Sequence, residues 1–380
     1  MLDNYRSPWM DEDLEQFKDM VERFAREYIE PNELKWREQH YADREVWLKA
    51  GELGLILPDF PEEYGGAGGH IGHYVCASQV FAGNGGGLGT GLSHIVAKYI
   101  LDDGTEEQKK FWLPKVGSGE CICAIAMTEP GAGSDLQSVR TRAVKKGDRY
   151  VINGAKTFIS NGQTCDMVLV VAKTDAGEGA KGVSLFMVDT RTPGFRRGKL
   201  LSKVGMHAQD TSEMFFDDVE VPENCLLGGA EGKGFYTLMR QLAFERAQIG
   251  VGAVAVMERA LRLSIEYTKD RKVFGKPVID FQNSRFVLAD VKATVQASKT
   301  FVDLIISRWI DGTLDTTLAS MGKFWLTERQ GEVLDKCLQL FGGYGYMNEY
   351  PIGRMWADAR VARIYGGSNE IQREVVARSL

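Results

Sequence analysis

The feature that most limits the fold of this chain is a change in hydrophobic periodicity that occurs twice. Up to about residue 120, apolar residues recur at spacings of three and four, as on one face of an α-helix. From 121 to 233, short apolar runs alternate with Gly, Asp and Pro, which is typical of strands and turns. Helical spacing returns at 234. We therefore predict an α+β chain with a helical domain (1–120), a β domain (121–233) and a second helical domain (234–380).

The first domain carries clear helix signals. An apolar stripe from Leu14 to Tyr28 follows three acidic residues, which suit the positive end of a helix, and Pro31 marks its limit. A second helix is predicted over residues 44–53. The glycine run 65–69 is interpreted as a connector, because no strand with fingerprint spacing precedes it and no Gly-Lys-Ser/Thr follows.

The β domain contains a dipeptide that favours a tight turn. Asn153-Gly154 readily takes the positive φ angles of a hairpin turn, so residues 149–160 are predicted to form a hairpin. Because no helical stretch separates the strand-like runs, a parallel dinucleotide-binding sheet is a poor fit. Further strands are predicted at 167–172, 183–188 and 213–221, and long helices at 242–271, 280–311 and 316–341.

Charge and composition exclude several classes of protein. The chain has 46 basic and 52 acidic residues, a net charge of −6, and no basic block interleaved with aromatics, so nucleic acid is not expected as a partner. The longest strongly apolar stretch, 249–257, is far shorter than the ~20 residues that span a bilayer. Six cysteines are too few for a disulfide scaffold, and Cys121 with Cys123 is no zinc site. The start of the sequence resembles no secretory signal. We expect a reducing, cytoplasmic location; the mitochondrial matrix stays open if a transit peptide has been removed.

The five histidines show no pattern for metal or hydrolytic chemistry. They form no His-Glu-x-x-His, and the chain has no Gly-x-Ser-x-Gly elbow. His70 and His73 lie beside the glycine run and are interpreted as solvated loop residues.

One segment, Met127–Asp135, has the composition of a ligand-binding loop. Its Pro and small residues hold an irregular backbone open, so that N–H groups and the hydroxyls of Thr128 and Ser134 can approach a polar ligand. An ordinary Gly/Pro loop between two domains would have the same composition. Both interpretations stay open on composition alone.

This segment and two later stretches, 270–282 and 339–351 continuing to 364–373, resemble the signature regions of the acyl-CoA dehydrogenase family in the family's order. The resemblance covers nearly the whole chain. It implies a helical N-terminal domain, a β-barrel-like middle domain and a C-terminal four-helix bundle.

The resemblance implies FAD as the cofactor. On the matching positions, Thr128 would bond the pyrimidine side of the flavin, Phe158 would cover the ring and Ser160 would bond the nitrogen that receives hydride. Arg271 would contact the pyrophosphate of the FAD in a neighbouring subunit, so an oligomer is implied, usually a homotetramer. Residues 158–160 would also suit an ordinary half-buried strand. The implied FAD contacts are Ile125, Met127, Thr128, Gly133, Ser134, Phe158, Ile159, Ser160, Arg271, Val273, Phe274, Phe281, Gln282, Gln339, Phe341, Gly342, Gly343, Ser368, Asn369 and Glu370.

The family's reaction needs a carboxylate base, and its usual position is vacant here. Most members carry Glu immediately after the Tyr of the last motif, where this chain has Gly366 after Tyr365. A minority branch, which includes the long-chain and isovaleryl-CoA dehydrogenases, places the Glu on a long helix, followed by Arg and 26 residues before the FAD-binding Arg. Glu245-Arg246 precedes Arg271 with that spacing, 271 minus 245 being 26. Glu245 is therefore our candidate base; its alternative is a solvated helix residue.

The resemblance also implies substrate contacts. The N–H of Gly366 would bond the thioester carbonyl, Arg246 would bind the CoA portion, and Ser134 would contact the substrate as well as FAD. Tyr365 favours straight acyl chains, because the isovaleryl enzyme has Gly at the matching position. The glycine-rich run 82–91 matches the region that closes the pocket, so a deep cavity is possible there, although glycines also allow close helix packing. Ala243 replaces an Asp that contacts CoA in some relatives.

The sequence thus suggests an FAD-dependent acyl-CoA dehydrogenase that forms a trans-2-enoyl-CoA from a straight, medium- to long-chain thioester and passes electrons to electron-transfer flavoprotein. Three alternatives stay open: an acyl-CoA oxidase, a flavin monooxygenase on the same fold, and a flavin-binding interaction protein without turnover.

Overall fold

The computed structural model describes residues 5–85, 88–175 and 179–380. The first four residues, which bear on the signal-peptide prediction, and 86–87 of the run 82–91 lie outside the described part. Helices come first, then a sheet, then helices. The N-terminal helices are α1 (Glu12–Phe24), α2 (Glu33–Gln39), α3 (Arg44–Glu52), α4 (Ile71–Gly83), α5 (Thr90–Asp103) and α6 (Glu106–Gly117).

The first helix begins as the sequence predicts, but Pro31 does not mark its end. The Asp11 side chain accepts a hydrogen bond from the Leu14 N–H at 2.9 Å and so caps α1, whose first turn is acidic. Regular α-helix stops at Phe24; the helical path continues through a π-helical turn, Ala25–Ile29, and a short 3-10 turn, Glu30–Asn32, which contains Pro31, and α2 follows at Glu33. The helix predicted at 44–53 is α3.

His70 and His73 form a helix cap rather than a loop. The His70 ring accepts a hydrogen bond from the Gly72 N–H, and the His73 ring accepts one from the His70 N–H. His73 also contacts Asp13 at 3.0 Å, which ties α4 to α1. The two histidines therefore accept hydrogen bonds from backbone N–H groups at the start of α4, which explains the pair without metal binding.

The middle domain is one curled, open sheet, which confirms the predicted β domain. Its path runs from β6 through β7, β3 and β2 to β4, which pairs with both β1 and β5. Pairing is antiparallel except where β4 meets β1 and β2. The strands are β1 (Cys123–Ala126), β2 (Arg142–Lys146), β3 (Arg149–Ser160), β4 (Met167–Lys173), β5 (Val183–Asp189), β6 (Phe195–Leu200) and β7 (Thr211–Pro222).

The hairpin predicted at Asn153-Gly154 is wrong. Residues 149–160 form one continuous strand, β3, and the hairpin turn lies earlier, at Gly147 (φ 65°) between β2 and β3. At Asn153 the register with β7 shifts, and Asp218 takes a φ of 49° to accommodate the extra residue. The Asn153 side chain exchanges two 2.9 Å hydrogen bonds with Asp218, so the Asn-Gly pair stabilises a β-bulge instead of a turn.

The C-terminal domain is built on three long helices, α7 (Gly234–Asp270), α8 (Gln282–Ile310) and α9 (Thr316–Leu340). The helix predicted from 242 begins earlier, at Gly234. A small hairpin of β8 (Lys272–Val273) and β9 (Lys276–Pro277) joins α7 to α8, and the short helices α10 (Pro351–Ala359) and α11 (Asn369–Ala377) pack on α9. The domain predicted as a four-helix bundle thus contains three long helices and two short ones.

The described residues form two apolar cores. One joins the N-terminal helices to the sheet, and the other fills the space among α7, α8 and α9. Tyr99 of α5 is buried in the first, and Ala247 and Val251 of α7 in the second. In the ranges that the structure describes, we find no helix with the length and apolar character needed to cross a membrane.

Candidate active site

A buried ion pair between Glu129 and Lys156 holds the loop Met127–Asp135. After β1, the backbone at Glu129 and Ala132 exchanges two hydrogen bonds and closes a tight turn. Glu129 accepts bonds from the Lys156 ammonium at 2.9 Å, from the Thr141 hydroxyl and from two backbone N–H groups. Burial opposes ionisation of Glu129, but Lys156 and Thr141 outweigh it and hold its pKa below the ordinary value. The same burial lowers the pKa of Lys156 to about 8 against the attraction of Glu129.

Lys156 also fixes the start of the loop. Its ammonium donates to the Met127 carbonyl at 3.0 Å, and one residue on, the Thr157 N–H donates to the Thr128 carbonyl at 2.9 Å. The loop backbone is therefore bonded to β3 at two consecutive positions, which brings Thr128 beside Phe158.

Phe158 presents its ring outward. A second register shift against β7 occurs there, the residue takes a φ of 59°, and 69% of its side chain is exposed. Ser160 is half-buried, whereas the Ile159 side chain is in the core, so a ligand beside Phe158 can reach only the backbone of Ile159. Gly133 and Ser134 are exposed, and Ile125 and Met127 are half-buried.

Glu245 lies on α7 and is bonded to α5. Its Oε1 accepts a hydrogen bond from the hydroxyl of Tyr99 at 2.8 Å, and Tyr99 is fully buried. Burial raises the pKa of Glu245 to about 7, although the Tyr99 bond and the charge of Arg246 lower it. Such a carboxylate is a stronger base than an exposed one and is still ionised above neutral pH.

Gly366 faces the same side of α7 as Glu245. A β-carbon at Gly366 would come within 2.4 Å of Cδ1 of Ile249, which is one helical turn after Glu245. Gly366 and Gly367 have φ values of 63° and 81°, the left-handed region that favours glycine. Placing Gly366 at this position brings its backbone to the helix face that carries the candidate base.

The glycine turn is anchored by buried side chains. Lys323 of α9 donates to the Gly367 carbonyl and to the Asn369 side chain, each at 2.9 Å, and Gln372 donates to the carbonyls of Gly366 and Gly367. Burial lowers the pKa of Lys323 to about 8. Both carbonyl groups of the glycine turn thus accept hydrogen bonds from side chains within the protein.

Arg246 points into the protein. Only 4% of it is exposed, and its Nη1 donates to the Ser320 hydroxyl of α9 at 3.0 Å. Burial lowers its pKa. Tyr365 is 45% exposed, next to the glycine turn.

A cavity of about 540 Å³ lies at the far end of α7 and α9. Arg271 and Val273 line it from one side, and Phe341, Gly342 and Gly343 from the other. The structure thus brings together the motifs around 270 and 340.

The remaining residues of these motifs differ in exposure. Phe274 is at the tip of the β8–β9 hairpin with a φ of 50°, and 95% of it is exposed. Phe281 is the residue just before α8, and its ring centroid lies 6.3 Å from that of Phe274. Gln282, Gln339 and Glu370 are exposed, and Ser368 is half-buried. Asn369 is buried and bonded to Lys323, Thr327 and the Phe324 carbonyl, so its side chain is committed within the protein.

Sequence reasoning missed Tyr99, Lys156 and Lys323. Tyr99 is 146 residues from Glu245, and no local pattern indicates such a contact. The one usable signal was composition: Lys156 and Lys323 lie among apolar neighbours, where a charged residue needs a partner. Across the described ranges, no group of His, Cys, Asp and Glu is arranged to hold a metal ion.

Comparison with known proteins gives the family of this chain. Three family models match in order: acyl-CoA dehydrogenase N-terminal domain over residues 11–120, middle domain over 124–219 and C-terminal domain over 232–380. The mitochondrial long-chain specific acyl-CoA dehydrogenase of Sus scrofa is 44% identical over 96% of this chain and 85% of its own length. The mitochondrial isovaleryl-CoA dehydrogenase of Solanum tuberosum is 36% identical over 97% of this chain and 91% of its own.

Solved structures agree with this match over nearly the whole fold. An acyl-CoA dehydrogenase from Geobacillus kaustophilus has a TM-score of 0.96 at 42% identity, covering 98% of this chain and 99% of that one. A structure titled as the electron transferring flavoprotein of Acidaminococcus fermentans has a TM-score of 0.93 at 35% identity, covering 98% and 99%. A glutaryl-CoA dehydrogenase from Mycobacterium smegmatis in complex with FADH2 has a TM-score of 0.91 at 27% identity, covering 97% and 95%. The chain belongs to the acyl-CoA dehydrogenase family.

Proposed function

We propose that this protein removes two hydrogens from the α and β carbons of an acyl-CoA thioester, with Glu245 as the base. The observation that carries the proposal is the position of Glu245 on the face of α7 toward Gly366, with a pKa raised by burial to about 7. An α-proton of a thioester is weakly acidic, so a base that holds a proton near neutral pH suits its removal. Within the described residues Glu245 forms no ion pair, so its charge is available for this task.

The thioester carbonyl needs a hydrogen-bond donor when the α-proton leaves, because negative charge then develops on its oxygen. The backbone N–H of Gly366 is our candidate donor. Lys323 and Gln372 bind the carbonyls of the same turn, which favours an N–H that points away from them toward α7.

FAD is the cofactor, and the residues present fit it. Phe158 offers an exposed ring beside Thr128, and Arg271 places a cation at a cavity whose opposite wall is the backbone of Gly342 and Gly343. A cation and close backbone suit a pyrophosphate. Bound FAD supplies the acceptor for the hydride that leaves the β-carbon. In this proposal Ile125, Met127, Gly133, Ser134 and Ser160 contact the flavin side, and Val273, Phe274, Phe281, Gln282, Gln339, Phe341, Ser368 and Glu370 the pyrophosphate and adenosine side.

The substrate is a straight acyl chain of medium to long length. The resemblance to the family implies that Tyr365 takes the place of a branch beside the carbonyl, and the 44% identical relative is named long-chain specific. Arg246 is buried against Ser320. In this proposal it therefore helps to bind the CoA portion through its positive charge, near Glu245 and Lys323, and not through an exposed guanidinium.

Two partners belong to the proposal. In this proposal electron-transfer flavoprotein accepts the electrons, as the resemblance to the family implies. A second copy of the chain covers Phe274, and a homotetramer completes the FAD sites.

Anaerobic addition of acyl-CoA to the yellow holoenzyme tests the function. We expect the flavin absorbance to bleach with straight-chain acyl-CoA, most efficiently with medium to long chains. No bleaching with any chain length would reject turnover and leave a flavin-binding protein. Rapid peroxide formation in air would identify an oxidase instead, and an optimum at butyryl-CoA would reject the chain-length assignment.

A further inference from the structure

We propose that Tyr99 is a positioning residue for the base: its buried hydroxyl holds one oxygen of Glu245 and leaves the other free for the α-proton. The inference rests on the proposed function of Glu245 and adds a residue to it. The observation is the 2.8 Å hydrogen bond between α5 and α7.

The bond fixes the carboxylate. A free glutamate side chain on a helix samples several rotamers, whereas a hydrogen bond from a buried partner selects one. Tyr99 is fully buried and its ring packs in the core between helices and sheet, so its hydroxyl cannot move with the ligand. Among the described residues no second bond to Glu245 is found, so Oε1 is held and Oε2 is open.

The bond also sets the proton affinity of the base. A neutral hydroxyl that donates to a carboxylate stabilises the ionised form, so Tyr99 lowers the pKa of Glu245 while burial raises it to about 7. Burial together with the charge of Glu245 raises the pKa of Tyr99 itself well above its ordinary value, so the phenol keeps its proton and stays a donor. The charge of Asp103, on the same helix, also raises the pKa of Tyr99, and the charge of Arg240 of α7 lowers it.

Two other cations face this region. Arg246 lies next to Glu245 and lowers its pKa, and Lys323 of α9 faces Arg246, which in turn lowers the pKa of Lys323. Neither forms an ion pair with Glu245, so Tyr99 is the direct contact among the residues described.

A matched control lies one helix away. Tyr74 of α4 is also buried and stacks at 5.8 Å on Phe244, the residue before Glu245. In the described part of the chain its hydroxyl has no hydrogen-bond partner. Tyr74→Phe, like Tyr99→Phe, removes a buried tyrosine hydroxyl close to α7, but it breaks no hydrogen bond in the described part of the chain.

The test compares the pH profiles of kcat/KM for the wild-type holoenzyme, Tyr99→Phe and Tyr74→Phe, with dodecanoyl-CoA as substrate. A base with a pKa of about 7 must be ionised to act, so the wild-type rate rises with pH through about 7. Loss of a hydrogen bond to a charged group raises the pKa, so in Tyr99→Phe the acid limb moves up by about one pH unit and the rate below it falls about tenfold. We expect Tyr74→Phe to keep the wild-type profile.

A uniform loss of rate in Tyr99→Phe with an unmoved acid limb would overturn the inference, since a merely structural role predicts that result. Should Tyr99→Phe fail to retain flavin, fluorotyrosine at position 99 replaces it; a more acidic phenol strengthens the bond, so the acid limb must move down, and no movement overturns the inference as well. Glu245→Gln separates the two claims: if that variant turns over normally, the base assignment fails; if it is inactive while the Tyr99→Phe limb is unmoved, only the Tyr99 claim fails.

Discussion

At position 366 the backbone has a φ of 63°, and the space where a side chain would begin is occupied by Ile249. The backbone conformation therefore favours glycine here, and a side chain would also have to displace the end of Ile249. The consequence for chemistry is that a carboxylate at 366, as in most of the family, would compete with the α7 face on which Glu245 lies. In our proposal, the long helix α7 supplies the base that most of the family carries near the end of the chain.

Gly366→Ala should destabilise the protein by about 1–2 kcal/mol, because alanine pays for a left-handed φ and its β-carbon displaces Ile249. Denaturant unfolding under one set of conditions measures this. Gly83→Ala is the control, since a β-carbon at Gly83 meets nothing within 4 Å and no positive φ is needed there. Equal unfolding free energies for the two variants would contradict the assignment of strain to position 366.

The sequence could predict a site residue where a motif included it, but it could not predict that residue's contacts. The spacing from Glu245 to Arg271, with the vacancy at Gly366, indicated a candidate base from sequence alone. Its partner Tyr99 required the packing of α5 on α7, which brings together residues 146 positions apart. Local patterns hold no information about such pairs.

Strand β3 is the element that organises the candidate flavin site. Asn153-Gly154 suggested a turn, yet pairing with β7 along twelve residues keeps the chain extended. The continuous strand carries Lys156 to Glu129 and the Met127 carbonyl, and the register shift near its end turns Phe158 to the surface. Turn propensity was overridden by long-range pairing, which is why the helices were predicted more closely than this strand.

Lys156→Met should destabilise the holoenzyme by about 3–5 kcal/mol, because removing one partner of a buried pair leaves the other charge uncompensated. It should also weaken FAD binding, since the loop at Met127 loses its anchor. Flavin release during thermal unfolding reports both effects. Lys145→Met breaks an exposed pair with Glu223 and should cost at most about 1 kcal/mol. Wild-type flavin retention in Lys156→Met would refute the anchoring role.

Across the whole molecule, the three domains are joined by a buried ion network. Glu33 of α2 is bonded by Arg354 of α10 and by Arg37, and Arg37 and the Met206 N–H both contact Asp358. Burial alone would raise the pKa of Glu33, but the two arginines lower it below its ordinary value. The order of helices, sheet and helices followed from periodicity, whereas this network did not. The domain boundaries after residues 120 and 233 stay predictions.

The exposed hairpin tip predicts the assembly. Phe274 is 95% exposed, and in our proposal the motif around it contacts a neighbouring subunit. Light scattering should give a mass four times the 42.2 kDa chain. Phe274→Asp should lower that mass and release FAD, while Phe111→Asp, at another exposed aromatic, should keep it. An unchanged mass in Phe274→Asp would exclude this surface from the interface.

The central claim is that one carboxylate on α7 removes the substrate proton, and the rate of anaerobic flavin bleaching in Glu245→Gln tests it most directly. We expect the variant to keep its yellow colour and to bind acyl-CoA, while the bleaching rate falls by about 10²–10⁴, the loss expected when a general base is removed. Bleaching at the wild-type rate would contradict the account.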